Sequence, residues 1–279
     1  MIEHCPLCDG SCTTCLVPAE VAQSIQSRGK NPRFTAILGP SNVGKTVFLG
    51  MLLDLLARGA SGMHGVPRGS FSLSLHRNVL LALEKQRFPE KTPNEPDRWQ
   101  WVHCEVTMTK GRNEKALDIV SPDVAGEAVA TELATPNSNP IIRSLIAKCS
   151  GLVVLIDLAA LVDEGGEAEI FAMQLIAYLV SLRSQRWGRK IDIPVALVFT
   201  KSDLSEEAIL KPDSFARANA GALWRICEKQ VRHFKFFSSG VAGSVGWLVG
   251  PDNQVSLAPL RVEPRGIIEP FAWLFSHYR

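Results

Sequence analysis

One short segment limits the fold of this chain more than any other part of its sequence. Residues 39–46 read G-P-S-N-V-G-K-T and fit the pattern G-x-x-x-x-G-K-S/T at every fixed position. An apolar run at residues 34–38 predicts a buried strand before the segment, and apolar residues at helical spacing follow from Lys45. A strand, a glycine-rich turn and a helix in this order form a loop whose backbone N–H groups can surround phosphates.

Each part of this phosphate loop has a predicted task. The partial positive charge at the helix N-terminus favours an anion. Lys45 is expected to reach the β- and γ-phosphates, and the Thr46 hydroxyl to bind Mg²⁺. The alternative, a chance glycine-rich turn, is disfavoured by the strand and helix on either side. The predicted nucleotide contacts of the segment are Gly39, Ser41, Asn42, Val43, Gly44, Lys45, Thr46 and Val47.

Strand and helix patterns alternate along the rest of the chain, which predicts an α/β fold of the P-loop NTPase type. We expect a three-layer sandwich with a mostly parallel sheet between helices. Residues 99–109 and 115–120 are predicted to form an antiparallel hairpin, because a turn separates them. The other predicted strands are residues 151–156, 193–199 and 234–237, and the other predicted helices are residues 71–88, 170–187, 213–232 and 267–277.

Length and charge narrow the class of protein. The 279 residues suffice for one large α/β domain, predicted at residues 31–279, with a Cys-rich segment and linker at residues 1–30. The net charge of +2 gives no electrostatic reason to predict binding to nucleic acid. The apolar stretch at 170–182 is shorter than the roughly 20 residues that cross a bilayer. We expect a cytoplasmic protein, because residues 1–5 lack the pattern of a signal peptide.

The N-terminal segment contains four cysteines in two C-x-x-C pairs, Cys5, Cys8, Cys12 and Cys15. Four thiolates suit tetrahedral Zn²⁺, and His4 is a spare ligand. The three residues between the pairs are fewer than in a zinc ribbon, so an iron–sulfur cluster and unligated thiols remain alternatives. A structural zinc site that docks a partner is the preferred interpretation. The remaining cysteines, Cys104, Cys149 and Cys227, are predicted to pack in the core.

A motif at residues 200–203 bears on which base the chain binds. Thr200-Lys201-Ser202-Asp203 follows an apolar strand and resembles the N/T-K-x-D element of the Ras-like (TRAFAC) GTPase family. An ionised Asp203 can accept hydrogen bonds from guanine N1–H and from its exocyclic amine, whereas adenine offers neither donor there. The aliphatic part of Lys201 can cover the base. Asp203 could instead be the N-cap of the next helix.

A second match to the family follows the last predicted strand. Ser238-Ser239-Gly240 lies where the family has S-A-K, so the resemblance implies guanine contacts at Ser238 and Ser239. Gly240 departs from the usual lysine of that motif.

Residues 123–127 resemble the D-x-x-G element that forms switch II in the same family. The resemblance implies that Asp123 holds Mg²⁺ through water and that the Gly126 N–H contacts the γ-phosphate. Glu127 stands where Ras-like proteins have Gln; it could orient water, but its charge beside the phosphates needs compensation. Asp118 is the rival metal ligand inside the strand. Thr92 is the candidate switch I threonine, which the resemblance implies binds Mg²⁺ and contacts the γ-phosphate. The residues predicted to act in catalysis are Lys45, Glu127 and Thr92.

The motifs occur in the order found in GTPases, and their details are similar to the bacterial double-GTPase group. The resemblance implies a GTP-binding protein that hydrolyses GTP with Mg²⁺, switches protein partners and acts in bacterial signalling or conflict. One alternative is a P-loop ATPase that uses Asp157 as its metal carboxylate, although Leu158 stands where such enzymes have Glu. Another is a nucleotide-binding adaptor with little hydrolysis. The sequence names no effector and no arginine finger.

Overall fold

The computed structural model describes residues 17–26, 32–110, 113–163, 166–183, 189–249 and 255–278. Cys5, Cys8, Cys12 and Cys15 therefore lie outside the described residues, and the predicted zinc site stays a prediction. The described strands are β1 (Arg33–Leu38), β2 (Met63–Arg68), β3 (Gln100–Lys110), β4 (Asn113–Asp123), β5 (Gly151–Asp157), β6 (Val195–Thr200), β7 (Phe234–Ser238), β8 (Gly240–Val249) and β9 (Val255–Arg265).

Helices surround the strands. The described α-helices are α1 (Ala19–Gln26), α2 (Lys45–Ala57), α3 (Gly69–Glu84), α4 (Gly126–Ala134), α5 (Pro140–Lys148), α6 (Leu158–Asp163), α7 (Glu167–Arg183), α8 (Glu206–Leu210), α9 (Pro212–Asn219), α10 (Gly221–Gln230) and α11 (Ile268–His277). Among the helices that the structure describes, none combines the length and apolar character needed to cross a membrane.

Seven strands form one sheet in the order β2-β3-β4-β1-β5-β6-β7. β1 pairs in parallel with β4 and β5, and β6 pairs in parallel with β5 and β7. β3 runs antiparallel to both of its neighbours, so it is the one reversed strand of this sheet. The prediction of a mostly parallel sheet with one antiparallel hairpin strand is confirmed.

Alternate residues of the central strands enter two separate cores. In β5, Val154 belongs to a core that includes buried residues of α4, α5, α7 and α10. Its neighbour Val153 belongs to the opposite core, with buried residues of α2, α3 and α11. Because successive side chains of a strand point to opposite faces, this division places helices on both sides of the sheet. The predicted three-layer sandwich is confirmed.

Several predicted elements differ from the structure. Strand β2 was not predicted, and the helix predicted at residues 71–88 is α3, which ends at Glu84. The helix predicted at 213–232 is two helices, α9 and α10, because the backbone of Ala220 is not helical. Glu169 of α7 accepts hydrogen bonds from the N–H groups of Ala222 and Leu223 at 2.9 Å, so a side chain from another helix caps α10.

The sequence predicted no element between β7 and α11, but this segment forms a two-stranded antiparallel hairpin of β8 and β9. Gly266, at the end of the hairpin, has φ +63°, and a Cβ there would lie 1.7 Å from the Ser238 carbonyl oxygen. The chain therefore returns from the hairpin directly beside the end of β7, which only glycine permits.

Candidate functional site

The phosphate loop lies between the end of β1 and the start of α2. Gly44 is the residue before α2 and has φ +94°, a backbone conformation that favours glycine. A Cβ on Gly39 would lie 2.8 Å from the Leu155 carbonyl oxygen and 2.9 Å from the Val43 side chain. The first glycine of the motif therefore allows the loop to cross close to β5, and the second allows the turn into the helix.

Lys45 is the buried cation of this loop, and 7% of the residue is exposed. Its ammonium donates hydrogen bonds to the carbonyl oxygens of Gly39 at 3.1 Å and Pro40 at 2.8 Å. Burial lowers the pKa of Lys45 to about 8, although the carboxylates of Asp123 and Glu127 oppose this change. The side chain is thus held over its own loop, and an anion that entered would raise its pKa again.

This pKa predicts how nucleotide affinity depends on pH. Phosphates stabilise the charged ammonium, so the complex holds a proton that the free protein loses above about pH 8. We expect the affinity for GDP to fall between pH 8 and 9 and to change less between pH 7 and 8. Titration calorimetry at these pH values checks this. In Lys45→Arg the guanidinium stays charged, so an equal loss of affinity in that variant would contradict the assignment.

Three oxygen atoms from distant parts of the sequence meet beside the loop. The hydroxyls of Thr46 and Thr92 donate to Asp123 Oδ2 at 2.8 Å and 3.0 Å, and the two hydroxyl oxygens are 3.0 Å apart. Asp123 is 5% exposed, and burial raises its pKa against the hydrogen bonds from the two threonines and the charge of Lys45. This all-oxygen set suits Mg²⁺, which prefers carboxylate and hydroxyl ligands.

The rival carboxylate is placed elsewhere. Asp118 lies in the middle of β4, is fully buried, and its Oδ2 is 3.6 Å from Nε2 of the equally buried His103. Asp123 ends the same strand and contacts Thr46. The structure therefore brings Asp123, and not Asp118, to the phosphate loop.

The residues of the predicted switch II contact the loop closely. Gly126 begins α4, and a Cβ there would lie 2.4 Å from the Ser41 backbone nitrogen. Glu127 follows it, with a side chain that is 47% exposed. A hydrogen bond from Ser41 lowers the pKa of Glu127, and nearby lysines add to this effect. Lys91 Nζ, beside Thr92 in sequence, is 3.8 Å from Glu127 Oε1.

Residues 200–203, the predicted base motif, begin at the end of β6 at the same edge of the sheet. Thr200 is buried and its hydroxyl donates to the Ile156 carbonyl oxygen at 3.3 Å. Lys201 has φ +55°, and its ammonium contacts Asp157 Oδ2 at 2.5 Å. The Asp203 side chain is exposed to the cavity; partial desolvation raises its pKa and the charge of Arg265 opposes this. Ser205 caps the next helix, so the alternative role of Asp203 as that N-cap is wrong.

The serines after β7 divide between two surroundings. The Ser238 hydroxyl donates to the Ala208 carbonyl oxygen. The Ser239 N–H donates to the Phe199 carbonyl oxygen at 2.7 Å, and its own carbonyl accepts from Ser202 N–H at 3.2 Å. Ser239 therefore ties the end of β7 to the base motif.

One cavity of about 570 Å³ joins these groups, a volume within the range typical of ligand sites. Gly39, Asp123 and Ser238, predicted site residues, are not on its wall. Residues 88–91, which precede the candidate switch I threonine, also contribute to the wall, and so does the hairpin β8–β9, which the sequence did not predict. The predicted site residues that line the cavity are Ser41, Asn42, Val43, Gly44, Lys45, Thr46, Val47, Thr92, Gly126, Glu127, Thr200, Lys201, Asp203 and Ser239.

A family of known sequences matches this arrangement. The sequence model of the family Double-GTPase 2 matches residues 33–246, from β1 into β8. The chain belongs to the Double-GTPase 2 family. Membership supports a GTP-binding, P-loop domain of the TRAFAC type, as the motif order predicted. No curated protein sequence matches the chain.

Solved structures of similar fold are distant in sequence. The signal recognition particle receptor SRb-GTP/SRX complex from Chaetomium thermophilum is 17% identical, with a TM-score of 0.40 over 79% of this chain and 93% of that chain. The S. cerevisiae Ski7 GTPase-like domain, bound to GDP and inorganic phosphate, is 14% identical with a TM-score of 0.45. That match covers 88% of this chain and 50% of the Ski7 chain.

The geometry also bears on the ATPase alternative. Asp157, its candidate metal carboxylate, ends β5 and binds the Lys201 ammonium. The carboxylate beside Thr46 is that of Asp123. The residue that the ATPase interpretation needs at the metal is therefore engaged with the base motif.

Proposed function

We propose that this protein binds GTP with Mg²⁺, hydrolyses it to GDP and phosphate, and changes partners according to the nucleotide it holds. The observation that carries the proposal is the contact of Asp123 with Thr46 and Thr92, two residues that line the same cavity as Asp203. These residues are spread over 158 positions of the sequence, between 46 and 203. A phosphate loop, an oxygen cluster for a divalent ion and a base-reading acid together describe a GTP site.

The switch follows from which of these groups depend on the γ-phosphate. In the proposed complex Lys45 leaves the carbonyls of its loop and binds the β- and γ-phosphates. Thr46 and Asp123 would hold the metal, which would neutralise phosphate charge. Thr92 and the Gly126 N–H contact the γ-phosphate end. Hydrolysis would remove the γ-phosphate that Thr92 and Gly126 contact, whereas Lys45 would keep the β-phosphate. Residues 88–92 and the start of α4 would then be free to move.

The negative charge of Glu127 would repel the phosphates unless a nearby cation compensated it, and Lys91 is such a cation. The hydrogen bond from Ser41 lowers the pKa of Glu127, and the cations of Lys91 and Lys45 lower it further. We propose that Lys91 compensates the charge of Glu127, so that Glu127 can orient the attacking water while ionised. Most of the catalytic effect in such sites comes from positioning and charge stabilisation, and Lys45, Thr92 and Glu127 supply both.

Single-turnover hydrolysis of GTP tests this assignment. We expect Glu127→Ala to slow hydrolysis by about hundredfold, the usual contribution of a positioned base, while GTP affinity changes little. Glu90→Ala is the matched control, because Glu90 lines the same cavity from the neighbouring loop. Lys91→Ala should slow hydrolysis as well, and Lys91→Arg should restore most of the rate.

The same measurement separates the two functions that remain. If the wild-type protein retains GTP with Mg²⁺ but does not hydrolyse it, even with candidate partner proteins, the adaptor function replaces the GTPase function. Equal retention of ATP and GTP would contradict the guanine assignment. A role in bacterial signalling or conflict, protein effectors and a cytoplasmic location accompany the proposal.

The Cys-rich segment at residues 1–30 is proposed to be a zinc-binding appendage to the domain at residues 31–279. Among the described residues, no group of three or more His, Cys, Asp or Glu side chains is arranged to hold a metal. Elemental analysis of the purified full chain tests for zinc against iron. The helix α1 of this segment packs on the domain, with Val21, Ala22 and Ile25 buried.

A further inference from the structure

The hairpin β8–β9 carries an unusual surface. Large apolar side chains of both strands are exposed. The exposed fraction is 71% for Trp247, 66% for Val249 and 59% for Val255, and it falls to 48% for Val245 and 44% for Leu257. Trp247, Val249 and Val255 are thus more exposed than Val245 and Leu257.

The register of the two strands places these side chains on one face. Val245 pairs with Pro259, Trp247 with Leu257, and Val249 with Val255. Residues paired across an antiparallel ladder, and residues two apart along a strand, share a face of the sheet. Ala258, which alternates with Leu257, lies on the opposite face and is 1% exposed. One face of the hairpin is therefore buried at this position and the other presents apolar side chains.

The exposed face continues into the nucleotide cavity. Val245 and Leu257 line the cavity together with the phosphate loop and Asp203. Val249 and Val255 lie farther along the same face and do not line it. The apolar surface therefore begins inside the proposed GTP site rather than at an unrelated part of the molecule.

The start of the hairpin lies beside Asp203, the acid that is proposed to bind the guanine base. β8 begins at Gly240, where a Cβ would lie 2.2 Å from Asp203 Oδ1. A side chain at this position would have to displace the Asp203 carboxylate. Gly240 has no side chain that could contact the guanine base. Apolar residues that follow it in β8 line the same cavity.

We propose that Val245 and Leu257 form an apolar wall against which the nucleoside of the bound guanine nucleotide packs. A purine has flat apolar faces, whereas the phosphates need the charges of the loop at the other end. Binding would cover side chains that are close to half exposed without nucleotide, and this burial would slow the release of GDP and GTP alike. The proposal rests on the proposed function, because it assumes that the cavity holds a guanine nucleotide.

Dissociation of tritiated GDP from the full chain, chased with unlabelled GDP, tests the wall. We expect Leu257→Ser and Val245→Ser each to speed dissociation by about tenfold, the scale for losing one well-packed apolar side chain. The matched controls are Val255→Ser and Val249→Ser. Both residues are more exposed than Val245 and Leu257 and lie on the same face outside the cavity. These controls should change the dissociation rate by less than about twofold, which corresponds to a small change in free energy. Thermal unfolding verifies that all four variants fold.

The outcomes separate this inference from the proposed function. Equal effects of all four substitutions, or an effect on GTP release without one on GDP release, would overturn the wall. A change in sedimentation without any change in GDP release would also overturn it, because the face would then serve a second copy of the chain. If the wild-type protein holds no guanine nucleotide with Mg²⁺, the proposed function itself fails. If it holds one and the lining variants behave as the controls do, only the wall is wrong.

Discussion

Asp203→Asn is expected to lower the affinity for GDP by about hundredfold or more and to create affinity for xanthosine diphosphate. The carboxylate can accept from guanine N1–H and from the exocyclic amine, and hydrogen bonds to charged groups are each worth about 1.5–3 kcal/mol. An asparagine accepts from N1–H but presents an amide donor to the other position. Xanthine has an oxygen there, so the variant regains with xanthine the bond that it loses with guanine.

Competition calorimetry with GDP, XDP and ADP measures this change. Asp157→Asn is the control, because Asp157 is also an aspartate at the end of a strand and contacts Lys201, but it does not line the cavity. Asp157→Asn should gain no affinity for XDP if the assignment holds. Retained GDP affinity in Asp203→Asn would place base recognition elsewhere. Since the Asp203 side chain is exposed, the substitution should leave the thermal midpoint nearly unchanged.

Local sequence signals were sufficient for the parts of the site that are contiguous in the chain. The phosphate loop needs one strand, one turn and one helix, and residues 33–57 contain the sequence signals for all three. The contact of Thr92 with Asp123 spans 31 positions, and only the order of family motifs predicted it. The pairing of Lys91 with Glu127 had no local signal, because neither residue belongs to a pattern that depends on the other.

Strand β2 and the hairpin β8–β9 were not predicted from the sequence. In both, the apolar residues do not alternate in the way that marks a strand with one face in the core. In β2 the buried position between His64 and Val66 is Gly65, because a Cβ there would lie 2.6 Å from Leu56 Cβ and 3.0 Å from Cys104 Sγ. Close packing of α2 against the sheet thus removes the apolar side chain that would reveal the strand. In the hairpin β8–β9 the large apolar residues face solvent and the cavity, so their pattern does not report a core face.

The three buried cysteines show the opposite case, in which the sequence signal was complete. Cys104, Cys149 and Cys227 were predicted to pack in the core, and each is 2% exposed or less. Burial raises the pKa of Cys149 to about 11 and that of Cys104 and Cys227 to about 12. Their thiols stay protonated and unreactive at neutral pH, so the site's chemistry does not involve them.

Thr46→Ala is expected to remove most of the dependence of GTP affinity on Mg²⁺. In the wild-type protein we expect affinity to rise by about hundredfold between excess EDTA and millimolar Mg²⁺, since the ion adds a strong attraction to the phosphates. Thr46 supplies the hydroxyl nearest to Asp123, at 2.8 Å, and alanine deletes this ligand. Thr46→Ser keeps the hydroxyl and should keep the rise, which separates loss of the ligand from loss of packing.

The buried carboxylate adds a direction to the same experiment. Burial raises the pKa of Asp123, so at low pH the carboxyl holds a proton that the metal must displace. More Mg²⁺ should therefore be needed to reach half-maximal GTP affinity as the pH falls, in the wild type and in Thr46→Ser. An Asp123→Asn variant cannot take up that proton, so its weaker Mg²⁺ response should not depend on pH in the same way. A rise in affinity with Mg²⁺ that survives in both Thr46→Ala and Asp123→Asn would mean that the ion is held without these residues, and the oxygen cluster would lose its assigned role.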